Sequence, residues 1–182
     1  DEYDIVTRSQ IPNLQRRVMP DALTNCASQN NYRAIKTLVT LKANVNAPDS
    51  ENRIPLIVAS ELGHSAVVNV LLQNRADISA SDSSGRSALS AAASRGKRSV
   101  INLLLAAKAS LDDRDCRGYT PLHCAVEHGH AAAVKALLEA RASPQTRDSR
   151  GFTSLDLAAW KMKTDIVDLL VNTKVKQDRE WF

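Results

Sequence analysis

Four side chains able to ligate a metal crowd into one short stretch: His123, Cys124, His128 and His130, with Cys116 just upstream. Imidazole and thiolate donors are what a zinc site needs. The arrangement argues against one. His123 and Cys124 are adjacent, so on a helix they point apart, and the set as a whole matches no zinc spacing. No P-loop, no GxGxxG and no GxSxG accompanies it. The paired carboxylates Asp112 and Asp113 fall in a turn, where solvation is the default. The sequence therefore predicts no catalytic residue, no cofactor and no metal. The remaining chemistry is recognition, and it depends on the elements that would present it.

Those elements recur. The run Asp115-Cys-Arg-Gly118-Tyr-Thr-Pro-Leu-His-Cys-Ala125 has counterparts 33 residues apart. They begin at Asp49, Asp82 and Asp148 and reach Leu56 and Ala59, Leu89 and Ala92, and Leu155 and Ala158. Leu23 extends the leucine series one unit earlier. A second set recurs with the same period: Ala34-Ile35, Val67-Val68, Val100-Ile101, Ala133-Val134 and Ile166-Val167, each followed by an apolar pair such as Leu104-Leu105. Apolar residues at i, i+3 and i+4 mark amphipathic helices. Each unit thus predicts two helices and a turn, and one such unit cannot bury its apolar face alone.

The fourth unit, Thr120-Pro121-Leu122-His123-x-Ala125-x-x-x-Gly129-His130, resembles the ankyrin repeat signature. The resemblance covers residues 16–174 and implies an all-α ankyrin-repeat solenoid of about five helix-turn-helix units with short projecting β-turns. The organisation reads as an N-terminal extension over 1–15 and a degenerate N-capping repeat over 16–48. Ankyrin repeats follow over 49–81, 82–114 and 115–147, then a C-capping repeat over 148–174 and a tail over 175–182. His123 and His130 occupy positions that the family signature uses, and His64 repeats His130, which makes the histidine cluster mostly scaffold. Cys26 takes the place of the packing alanine in the first unit.

Local chemistry supports the units. A Thr hydroxyl can cap the first helix, and proline fits its first turn, where no N–H partner is needed. Gly63, Gly96 and Gly129 would end the first helix in left-handed geometry. Asn30 and Met162 replace that glycine in the two capping units. Ser154 replaces the proline. One departure is systematic: the glycine expected at the end of the second helix is Lys42, Arg75, Lys108, Arg141 and Lys174. A cation there complements the helix C-terminal dipole, at about 0.3–1 kcal/mol. The alternative is a ladder of positive charge along one edge.

The resemblance also implies a concave binding face, built from turn tips and the exposed side of each first helix. Onto it the sequence places Arg86, Arg95, Arg114, Arg117, Arg147, Arg150, Lys161 and His128, with Tyr119, Phe152 and Trp160. Arginine and aromatic residues are enriched at binding hot spots. The expected partner is a protein with an acidic or aromatic-bearing segment. Trp181 and Phe182 in the tail are expected to dock on a partner or on the last repeat, and Tyr3, Ile5, Val6, Ile11 and Leu14 to lie extended over a neighbour.

Composition agrees with an interaction role. The 182 residues carry a net charge of +4, mild for a nucleic-acid binder, and no nucleic-acid motif accompanies it. Only 4% are aromatic, so the core must be built from small aliphatic side chains. No apolar run approaches the length of a membrane span. Three cysteines without a CxxC point to a reducing, intracellular compartment, the cytoplasm first and an organelle interior if a transit peptide has been removed. The expected function is a non-catalytic protein-interaction module, monomeric outside a larger complex. The alternative is a structural subunit of a large, organellar or membrane-associated assembly.

Overall fold

The computed structural model describes residues 11–179, with side chains described from residue 20 to residue 172. Within these limits there are ten helices and no sheet. The helices are α1 (Ile11–Ser28), α2 (Tyr32–Thr40), α3 (Pro55–Leu62), α4 (Ser65–Gln73) and α5 (Ala88–Ser94). They continue as α6 (Arg98–Ala106), α7 (Pro121–Glu127), α8 (Ala131–Glu139), α9 (Ser154–Trp160) and α10 (Thr164–Arg179). Odd-numbered helices stack on one another as one layer and even-numbered helices as a second, and each odd helix packs on the even helix that follows it. Contacts are thus confined to neighbours, as a solenoid requires.

The repeating leucines and alanines make this stack possible. Leu23, Leu56, Leu89 and Leu122 are fully or almost fully buried, as are Ala59, Ala92, Ala125 and Ala158. Alanine lets the odd helices approach closely, and all seven residues of α5 are buried. Val68, Ile101 and Val134, with Leu71, Leu104 and Leu137, seal the interface with the second layer. Cys26 is half-buried against the same core.

First-helix caps follow the local sequence. Thr120 and Thr153 each form a reciprocal capping box, with His123 and Asp156 respectively, and the Ser87 hydroxyl accepts from the Ser90 N–H. In the second unit Ile54 takes the cap position, with no side-chain bond, and Pro55 alone marks the start. Helix ends adopt the left-handed geometry that the sequence implied, at Asn30 (φ 57°) and Met162 (φ 54°) as well as at the glycines.

Four of the five cations at the second-helix ends lie in the same strained region: Lys42 at φ 66°, Arg75 at 63°, Lys108 at 65° and Arg141 at 71°. In each case the following alanine N–H bonds back five residues, to the carbonyl of Leu38, Leu71, Leu104 or Leu137, at 2.9–3.0 Å. This is a helix-ending motif that normally favours glycine. Lys174 is different. The last helix runs on to Arg179, so Lys174 lies inside α10 and is not the fifth rung of the series. At the other end, Ile11 and Leu14 belong to α1 and are helical, not extended. Residues 1–10 and 180–182 lie outside the described residues, among them Tyr3, Ile5, Val6, Trp181 and Phe182.

Candidate partner-binding face

The four turn aspartates build the tips. In each, Oδ1 accepts the backbone N–H of residues i+2 and i+4, and Oδ2 accepts an arginine side chain. For Asp115 the Oδ1 bonds come from Arg117 and Tyr119, both at 2.9 Å, and for Asp148 from Arg150 at 2.8 Å and Phe152 at 2.9 Å. Burial raises the Asp148 carboxyl. The N–H groups of Phe152 and Arg150 and the Arg150 guanidinium more than offset this, and the net direction is down. Successive tips are tied by backbone bonds, from Cys116 N–H to the Ser84 carbonyl and from Ser149 N–H to that of Arg117.

The arginine that serves each aspartate changes place along the stack. In units two and three it is at i+4: Arg53 to Asp49 and Arg86 to Asp82. In units four and five it is at i+2: Arg117 to Asp115 and Arg150 to Asp148. That shift frees i+4 for Tyr119 and Phe152. Each arginine then lies over the ring beside it, Arg117 at 4.1 Å from the Tyr119 centroid and Arg150 at 5.1 Å from that of Phe152. Arg150 also lies 5.8 Å from the Tyr119 and Trp160 rings. Such cation–π contacts gain strength when desolvated.

Tyr119 is a correction to the expected face. It is only 3% exposed. Its ring is covered by Arg117 and Arg150 and stacks on His123 at 5.6 Å, and its hydroxyl accepts from Arg150. It supports the face from below. On this face Phe152 at 37% and Trp160 at 61% are the described aromatics that reach solvent.

Arg86, Arg95, Arg117, His128 and Lys161 come together. With Glu61, Glu127, Ser94 and Cys124 they line a cleft of about 430 Å³ along the first-helix layer. Arg95 grips Glu61 through Nε at 3.1 Å and Nη2 at 2.8 Å, and Arg117 Nη1 holds Glu127 at 2.8 Å. Burial would favour the neutral Arg117 side chain, but the Asp115 and Glu127 carboxylates outweigh it and hold the guanidinium charged. Lys161 lies over Trp160 at 5.1 Å.

Arg114 and Arg147 do not line this cleft. The Arg114 guanidinium turns back to the carbonyls of Gly118 and Arg147, and Arg147 donates to the Gly151 carbonyl at 2.6 Å. They brace the tips. The resemblance also places Glu61 and Glu127 on the exposed side of the first helices, and both line the cleft. They share one register position 66 residues apart, and Arg95 follows Glu61 by one period plus one residue.

Each of the four histidines bonds a backbone carbonyl. His64 and His130 reach across unit boundaries through Nε2 to the carbonyls of Ser28 and Ser94, at 3.0 and 3.1 Å. His128 Nδ1 donates to the Cys124 carbonyl at 2.9 Å. Burial, with the nearby Asp115 charge, pushes the Cys124 thiol up to about 12, which suppresses the reactive thiolate. Among the described residues no group of three His, Cys, Asp or Glu side chains could hold a metal ion.

A two-layer stack of helix pairs, contacting only its neighbours and presenting tips and first helices along one side, defines a helical-repeat solenoid. Such stacks use extended surfaces for binding. A family model described as ankyrin repeats (3 copies) matches residues 5–82 and 89–180. The chain belongs to the ankyrin repeat family, whose repeats are in general protein–protein interaction modules. No curated protein matches it. Among the described residues no helix is long and apolar enough to cross a membrane.

Proposed function

We propose that the chain is a non-catalytic interaction module that binds a protein partner through the tip and first-helix face of units three to five. The observation that carries this reading is the continuity of two features. The arginine-rich cleft ends at Lys161, and Lys161 lies over Trp160, which with Phe152 flanks Arg150. Guanidinium groups recognise carboxylates and stack on rings, so the partner segment is acidic, aromatic or both. The module acts as a monomer except within a complex.

Affinity capture followed by quantitative mass spectrometry tests this. Proteins retained by the wild type drop out when Arg95, Arg117 and Trp160 are changed together to alanine. Tyr119 is left intact, because its loss would disturb the fold. Equal retention by the triple variant contradicts the reading.

A further inference from the structure

Not all carboxylates on this face are held in the same way. Asp82 and Asp115 are fixed in their turns, each accepting two backbone N–H groups besides an arginine. Glu61 and Glu127 bond only to guanidinium groups among the described residues: Glu61 to Arg95, with Arg86 at 3.9 Å, and Glu127 to Arg117. Their side chains keep 25% and 19% exposure inside the cleft. Rotating either one away leaves no backbone donor unpaired and breaks no turn.

We infer that Glu61 and Glu127 are internal stand-ins for two carboxylates of an acidic peptide segment, which binds by exchanging with them at Arg95 and Arg117. Each guanidinium is already set to receive a carboxylate. Arg117 is anchored from behind by Asp115 and by the Tyr119 ring, so its Nη1 still faces the cleft when Glu127 leaves. Lys161 adds a cation with no carboxylate partner among the described residues. The inference rests on the concave-face reading above and sharpens it to a ligand spacing. Glu61 is on α3 and Glu127 on α7, with α5 packed between. Two helix-to-helix steps span about 16–20 Å. An extended chain covers that in about five or six residues. The segment therefore carries two acidic residues about that far apart.

The test uses a fluorescent extended peptide with two glutamates five residues apart in a Ser/Thr spacer, and its twin with lysines. In an anisotropy titration the glutamate peptide binds E61Q/E127Q about tenfold tighter than wild type, because two competing ion pairs of the exposed kind are removed. It binds R95A/R117A more weakly than wild type, and the lysine peptide gains nothing from E61Q/E127Q. The control D165N/D168N removes two charges from α10 in the second layer and leaves affinity unchanged. The exchange is overturned if E61Q/E127Q binds no tighter than wild type, if the control gains as much, or if neither protein binds the glutamate peptide. Should any of these occur while the R95A/R117A/W160A protein still loses its captured proteins, the interaction reading stands and only the exchange fails.

Discussion

The Arg150 guanidinium donates to the Tyr119 hydroxyl at 2.6 Å, joining the tip of the fifth unit to the tyrosine beneath the tip of the fourth. Burial and the nearby Glu127 charge both raise the Tyr119 phenol above its ordinary value, so the acceptor is a neutral hydroxyl. Tyr119→Phe keeps the ring and removes the bond, and should cost about 1 kcal/mol in urea unfolding. Tyr119→Ala removes a buried ring and should cost about 3–5 kcal/mol. A cost for the phenylalanine variant close to that of alanine would contradict this division.

The cations at the second-helix ends separate into two classes. Lys42, Arg75 and Lys108 have positive φ and are exposed, a conformation that costs a side-chain-bearing residue about 1 kcal/mol against glycine. Changing these three to glycine should raise the thermal midpoint, less a partial loss from the helix dipole. Lys174→Gly should lower it, by about 1 kcal/mol, because that residue is within α10. The pair of opposite signs is read in one set of melting curves.

Ser154 stands at the first position of α9, where Pro121 stands in α7. Its hydroxyl is buried with no hydrogen-bond partner. Thr153 before it is already extended, at φ −81° and ψ 168°, as a residue preceding proline must be. Ser154→Pro should stabilise the protein by about 1 kcal/mol, since it removes an unpaired polar group and stiffens the unfolded chain. Denaturant unfolding with an unchanged m-value checks it.

His123 gives the stack a pH dependence. Its ring is fully buried, with Nδ1 at 2.9 Å from the Thr120 hydroxyl and Nε2 donating to the Phe152 carbonyl at 3.3 Å. Burial pushes its pKa below the ordinary 6.5; the Phe152 bond and Asp148 oppose this in part. The folded state therefore keeps His123 neutral where the unfolded chain takes up a proton. Its contribution is present above about pH 6.5 and is lost as pH falls from there toward the lower folded value. Asp49, Asp148 and Asp156 are shifted below 3.8 and matter only in stronger acid. His123→Gln should flatten the stability profile between about pH 7 and pH 5, measured by urea midpoint.

Much of this was legible in the sequence because a repeat reports its own register. The buried leucines and alanines, the Thr caps and the left-handed helix ends all follow from the 33-residue period. Side-chain direction at the tips was not legible. Tyr119 aligns with exposed Arg53, yet moving the arginine from i+4 to i+2 turns the same position into a buried platform. Arg114 and Arg147 look like free cations until the turn carbonyls they brace are in place. Lys174 keeps the register but not the geometry, because α10 continues past the point where α2, α4, α6 and α8 stop.

The central claim is that binding uses the concave face and not the cation edge. The most direct measurement is the affinity of the captured partner for two variants, R95A/R117A/W160A and K42A/R75A/K108A. The first should lose at least about tenfold, as truncation of clustered hot-spot residues does, and the second should match the wild type. Loss confined to the edge variant, with the concave variant unaffected, would contradict the account.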